Sequence, residues 1–94
     1  MTYAVRILRS AQRQLAKVDR ETRSRIIFAV QGLAHDPRPH GSKKLTGRDA
    51  WRIRVGAYRV VYEIHDDHLV VLVRPLGVRR FIAALREFPK GKRQ

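Results

Sequence analysis

From Trp51 to Val55 apolar residues alternate with charged ones, broadly so again from Tyr58 to Ile64, and Gly56-Ala57 interrupts the pattern. A period of two on either side of a glycine-led dipeptide predicts antiparallel strands joined by a two-residue turn, with Gly at its first central position. In that register Val55 faces Tyr58, Arg54 faces Arg59, Ile53 faces Val60, Arg52 faces Val61 and Trp51 faces Tyr62. Leu69-Val70-Val71-Leu72-Val73 supplies a third strand. A turn at Asp66-Asp67, or a looser one over 65–68, sets Ile64 opposite Leu69, Tyr62 opposite Val71 and Arg59 opposite Arg74. Paired residues point to the same side of a sheet, so Trp51, Ile53, Val55, Tyr58, Val60, Tyr62 and Ile64 form one apolar face. The other face carries Arg54, Arg59 and Arg74 in a row, roughly 5 Å apart at the β-carbons, which is unfavourable unless an anion lies between them. Val61, Val70 and Leu72 share that second face, which leaves part of it for a covering helix.

The period changes outside the meander. Tyr3 to Arg9 alternates as a strand buried on one side and partly on the other, and Ser10 is placed to cap a short helix over Ala11 to Val18, where Ala11, Leu15 and Val18 recur at helical spacing. Asp19 is a second N-cap, followed by Glu21 in the first turn and by the stripe Ile26, Ile27, Val30, Leu33 and Ala34, which predicts a helix from Arg20 to about His35. Helices joined so closely form an antiparallel hairpin able to cover one face of the sheet. Asp36-Pro37-Arg38-Pro39-His40-Gly41 stops the second helix, because each proline fixes its own backbone and restricts the residue before it. Residues 42–49 read as a basic loop leading into the meander. Pro75-Leu76-Gly77-Val78 ends the last strand, Arg79 to Phe88 has the spacing of a C-terminal helix, and 90–94 reads as a frayed basic tail. The expectation is an α+β fold in one domain over 1–94: an N-terminal strand, a two-helix hairpin, a three-stranded antiparallel meander and a short C-terminal helix.

Charge adds what patterning does not. The 94 residues carry 21 Lys and Arg against 8 Asp and Glu, a net charge of +13, which points to a polyanionic partner, nucleic acid or an acidic protein. Sixteen of the cations are arginine, whose planar fork suits bidentate phosphate contacts. No cysteine is present, which excludes disulfides, thiolate metal sites and a cysteine nucleophile. The N-terminus lacks an apolar signal core and no run is long enough to span a bilayer, so a cytoplasmic protein with no membrane partner is expected. His65-Asp66-Asp67-His68 groups ligand-type side chains, but a turn is the better reading, since Asp is favoured there and no distant third ligand set is visible. No metal or cofactor is expected. Trp51, Tyr58 and Tyr62 alternate with the arginines, which assigns them to core packing rather than to base stacking.

Asp36-Pro37, Lys44-Leu45-Thr46-Gly47, the run Trp51 to Ile64 with its Gly56-Ala57-Tyr58-Arg59, and Gly77 followed by Arg79-Arg80 together resemble the RelE/ParE superfamily of toxins over nearly the whole chain. The resemblance implies the toxin of a type II toxin–antitoxin pair, neutralised by a cognate antitoxin with an acidic, amphipathic segment. In the RelE branch it implies a ribosome-dependent endoribonuclease that enters the A site and cuts messenger RNA, the ribose 2′-hydroxyl attacking to leave a 2′,3′-cyclic phosphate. The family's catalytic cations match Arg52, Arg54, Arg59 and Arg79, which would hold the scissile phosphate. Lys43, Lys44, Arg48, Arg74 and Arg80 are candidates for RNA contact, the loop cations being as consistent with a solvated loop. The tyrosine that many members carry after the last of these arginines has no counterpart, Phe81-Ile82-Ala83-Ala84-Leu85 standing there. A ParE-like poison of DNA gyrase, or a member that only binds nucleic acid or antitoxin, are the alternatives.

Overall fold

The computed structural model describes residues 2–45, 49–65, 67–77 and 88. The expected C-terminal helix, apart from Phe88, lies outside these residues, as do Arg48, Arg79, Arg80 and the tail.

The meander folds in the register that alternation requires. β3 (Ala50–Val55) pairs antiparallel with β4 (Tyr58–His65), Val55 opposite Tyr58 and Trp51 opposite Tyr62, and β4 pairs with β5 (His68–Pro75), Tyr62 opposite Val71 and Arg59 opposite Arg74. Gly56 sits at φ 58°, and no described non-Gly residue has positive φ, so Gly56 alone carries the left-handed position of the turn. The Leu76 N–H donates to the Ala57 carbonyl at 2.9 Å and draws the end of β5 against that turn.

β1 (Ala4–Ile7) joins the far side of the sheet, pairing parallel with β5 from Ala4 opposite His68 to Ile7 opposite Val71. Lys43–Lys44, expected to be loop, forms a two-residue strand β2 against β3, with Lys43 opposite Arg52 and Lys44 opposite Trp51. The described strands therefore make one five-stranded sheet in the order β1-β5-β4-β3-β2, more than a meander beside a separate strand. β1 is also more open than its alternation suggests: Ala4, Val5 and Arg6 are exposed and only Ile7 is half-buried, because an edge strand has one neighbour and the helices cover just part of it.

α1 (Arg9–Lys17) and α2 (Arg20–His35) form the expected hairpin. Ser10 is not its cap. Leu8 occupies the N-cap without a side-chain bond, because its own N–H is held by the Val71 carbonyl at 3.0 Å and its side chain is buried, so the chain turns into the helix directly from β1. Asp19 does cap α2: its Oδ2 accepts from the Thr22 N–H at 3.1 Å, and this backbone bond holds the Asp19 carboxyl below its usual range. Arg23 closes the hairpin from inside, its Nη2 donating at 2.7 Å to the Val18 carbonyl just past the end of α1 and its Nε at 2.9 Å to the Leu15 carbonyl, which also accepts the Val18 N–H at 3.1 Å.

The hairpin packs Ala11, Leu15, Val18, Ile26, Val30 and Leu33 onto Val55, Val60, Tyr62, Leu69, Val71 and Val73. Burying one such side chain contributes about 1.5–3 kcal/mol, so this layer dominates the stability. A smaller cluster of Leu8, Val61, Val70, Leu72 and Phe88, flanked by Leu45, closes the middle of the opposite face. Phe88, which follows β5 in the chain, lies on this face.

Candidate phosphate-binding cleft

The two-residue turn places Arg54 opposite Arg59, and the β4–β5 register places Arg59 opposite Arg74, so three guanidiniums lie in a row across β3, β4 and β5. Arg52 stands two residues along β3 from Arg54, on the same side of the strand, and β2 sets Lys43 opposite it. Around these side chains is an open cleft of about 210 Å³ lined by Gly41, Lys43, Arg52, Ile53, Arg54, Arg59 and Leu76. Four of the lining residues are cations and none is a carboxylate. Each directly opposed pair of like charges weakens a sheet by roughly 0.2–1 kcal/mol, so packing alone gives no reason to assemble them.

The expected site residues divide accordingly. Arg52, Arg54, Arg59 and Lys43 come together in the cleft, and Arg74, half-buried, extends the row on β5. Lys44 does not join them: it pairs with Trp51 and so falls on the helix side of the sheet. A one-residue step along a strand reverses the direction of a side chain, and assigning Lys43–Lys44 to a loop concealed that step. Arg48, Arg79 and Arg80 lie outside the described residues.

The rim of the cleft is held by a contact that no local pattern announces. The Tyr62 hydroxyl donates to the Pro37 carbonyl at 2.7 Å from within the core, and burial pushes its pKa up to about 12. The bond pins the loop after α2 to the underside of β4, which carries Gly41, at φ 96°, to the edge of the cleft. Trp51 is half-buried against the core; its Nε1 donates to Asp49 at 3.4 Å and the Arg38 guanidinium lies 5.4 Å from its ring centroid. Trp51, Tyr58 and Tyr62 thus belong to the packing side.

Sequence reasoning missed Glu63. It lies on the arginine-bearing face but four residues from Arg59, and it is the buried charged residue among those described, 6% exposed, with the His65 Nε2 3.1 Å from its Oε1. A lone acid alternating with Val61 on a half-apolar strand was the available signal. His65 and His68 flank the β4–β5 turn with rings stacked 5.3 Å apart, and the bond from His68 holds the Asp67 carboxyl below its usual range. Among the described residues no three potential metal ligands converge.

The cleft can therefore bind and neutralise an anion. Guanidiniums donate up to five hydrogen bonds and remain charged, so they stabilise negative charge but do not accept a proton near neutrality.

A family model for the ParE toxin of type II toxin–antitoxin systems matches residues 5–82. Among solved structures, the archaeal RelE–RelB complex from Pyrococcus horikoshii OT3 is similar at 28% identity and TM-score 0.71, over 83% of this chain and 99% of that one. The toxin–antitoxin complex RelBE2 from Mycobacterium tuberculosis is similar at 27% identity and TM-score 0.68, over 80% and 99%. Free E. coli toxin RelE, solved as a mutant, shares the fold at 21% identity and TM-score 0.80, over 95% and 100%. No curated protein sequence matches the chain significantly.

Proposed function

We propose, for a chain that belongs to the ParE toxin family of type II toxin–antitoxin systems, that it acts as a RelE-like, ribosome-dependent endoribonuclease on messenger RNA. The observation that carries this reading is the cleft in which Lys43, Arg52, Arg54 and Arg59 converge without a carboxylate. In the proposed reaction the 2′-oxygen of the nucleotide before the cut forms a bond to phosphorus, the bond to the 5′-oxygen breaks, and a 2′,3′-cyclic phosphate remains. One proton leaves the 2′-hydroxyl for solvent and one reaches the departing 5′-oxygen. Negative charge grows on the phosphoryl oxygens in between, and Arg52, Arg54 and Arg59 are placed to stabilise it, with Arg79 assigned to the same phosphate by resemblance. Removing one such preorganised donor costs about 10²–10³ in rate. Lys43 and Arg74 would hold the RNA beside this phosphate, and Lys44, Arg48 and Arg80 would add a general electrostatic attraction to it.

The partner is a cognate antitoxin, a reading supported by the RelE–RelB and RelBE2 complexes among the similar structures. An acidic segment folding over the cationic cleft would bind less tightly as salt rises. No helix among the described residues is long and apolar enough to cross a membrane, and action on ribosomes implies a cytoplasmic protein.

The family model, that of the ParE toxin, keeps a second reading in place: a ParE-like toxin would poison DNA gyrase by binding and perform no chemistry itself. One experiment separates the two: purified chain is added to a cell-free translation reaction and RNA 5′ ends are mapped with and without ribosomes, beside R54A and a gyrase supercoiling assay. Ribosome-dependent cuts lost in R54A are expected. Intact RNA with inhibited supercoiling would transfer the assignment to gyrase.

A further inference from the structure

A second cleft, of about 570 Å³, opens beside the cationic one and shares Gly41, Ile53 and Arg54 with it. Its walls are the last turns of α2 and the part of β3 that the two-residue β2 is too short to cover. Its two ends have opposite electrostatic character. Arg54 and the other cleft cations stand at one end. At the other stand Asp36 and the C-terminus of α2, the negative end of the helix dipole. Apart from His40, which the loop after α2 contributes, the rest of the lining is apolar, with Leu33, Ile53 and Val55.

Gly32 adds an independent observation. It sits inside α2, where glycine costs about 1 kcal/mol relative to alanine, and it lines this cleft. Its backbone is helical, and a Cβ built on it would meet nothing within 4 Å. Neither conformation nor close packing accounts for a glycine there. Gly32 lines the cleft and the space beside it is open, so a larger side chain there has room to take up part of the cleft.

A ribonucleotide has the matching sequence of properties: a phosphate anion, a flat base with apolar faces, and a base edge bearing N–H donors. We propose that the second cleft receives the base of a nucleotide whose phosphate lies on the arginines, and that Asp36 reads the edge of that base. Guanine is the preferred occupant, because it presents adjacent N1–H and N2–H donors to a carboxylate, whereas adenine, cytosine and uracil each offer a single donor group on that edge. Asp36 Oδ1 already accepts from the Arg38 N–H at 3.2 Å, which orients the carboxylate and leaves acceptor capacity on both oxygens. The inference rests on the phosphate-binding reading of the cationic cleft.

The test is an NMR titration of the full chain with inorganic phosphate and with the four ribonucleoside 5′-monophosphates. Phosphate is expected to move resonances of Arg52, Arg54 and Arg59 only. GMP is expected to move those of Gly32, Asp36 and Val55 as well, and to bind at least about tenfold more tightly than phosphate, which corresponds to about 1.4 kcal/mol. Gly32→Leu has room for its side chain and a better helix former in place of glycine, so it should fold, keep its phosphate affinity and lose the tenfold advantage of GMP. Asp36→Asn should bring GMP down to the affinity of AMP. Equal binding of GMP and phosphate with Gly32 unmoved, or an undiminished GMP advantage in Gly32→Leu, would overturn the base pocket while leaving the phosphate site standing. Failure of every ligand to move the arginines would remove both.

Discussion

The two faces of the sheet come from the same strands and obey different rules. Toward the helices, Val55, Val60, Tyr62, Leu69, Val71 and Val73 are all buried and carry one polar group, the Tyr62 hydroxyl, which is paired with Pro37. Toward the other side only the middle is apolar, with Val61, Val70 and Leu72 under Leu8 and Phe88, and the end near the Gly56 turn is cationic. The first face is what stability asks for. The second holds opposed like charges that stability disfavours, and such local conflicts with the global fold are where function is expected.

Breaking the first face should have the largest effect. Val71→Asp puts an unpaired charge at a wholly buried position and should cost about 4 kcal/mol or more, enough to abolish cooperative unfolding in a urea titration. Val71→Asp that melts like the parent would mean that this face is not the core. On the second face the expectation is reversed. Arg54→Ala should cut RNA cleavage by about 10²–10³, with a change in stability within about 0.5 kcal/mol, and should lower the slope of log affinity for RNA against log salt by about one. A matching loss of stability would assign Arg54 to the fold instead.

Tyr62 links the faces, since it anchors the loop that forms the rim of the cleft from inside the core. Tyr62→Phe leaves the Pro37 carbonyl unpaired and should cost about 1–2 kcal/mol. It should also change the alkaline limb of stability. The phenol ionises near 10 in the unfolded chain and near 12 in the fold, so between those values the unfolded state loses its proton first. Stability from this source is complete below pH 10 and declines as the pH rises toward 12. Urea midpoints across that window should fall less in Tyr62→Phe than in the parent, and equal slopes would show that the buried phenol is not what titrates.

The smallest effect belongs to the exposed cap of α2. The Asp19 carboxyl is held below 3.8, so its contribution is present above that value and lost as the pH falls through the folded one. Asp19→Asn should retain most of the cap while flattening the acid limb, and Asp19→Ala should lower the melting temperature at neutral pH.

How much of this was legible in advance depends on how far apart the interacting residues lie. The meander register followed from Gly56-Ala57, because a two-residue turn permits one pairing and a period of two then assigns every side chain to a face. α2 was legible from the Asp19 cap, the apolar stripe and the Asp36-Pro37 stop. Ser10 misled because capping preference is local, whereas Leu8 is held by Val71, a residue distant in sequence.

Alternation, one glycine turn and a surplus of arginine were enough to determine that this chain makes a half-apolar sheet with a cationic row at one end. Tertiary structure alone decided that β1 lies parallel to β5, that Lys43 enters the cleft while Lys44 turns from it, that Glu63 is buried, and that the loop after α2 joins an apolar cleft to the cationic one. The physical reason is separation along the chain. Periodicity and turn chemistry act between near neighbours, whereas parallel pairing, the Tyr62–Pro37 bond and the shared wall of the two clefts join residues that meet only once the helices have packed on the sheet.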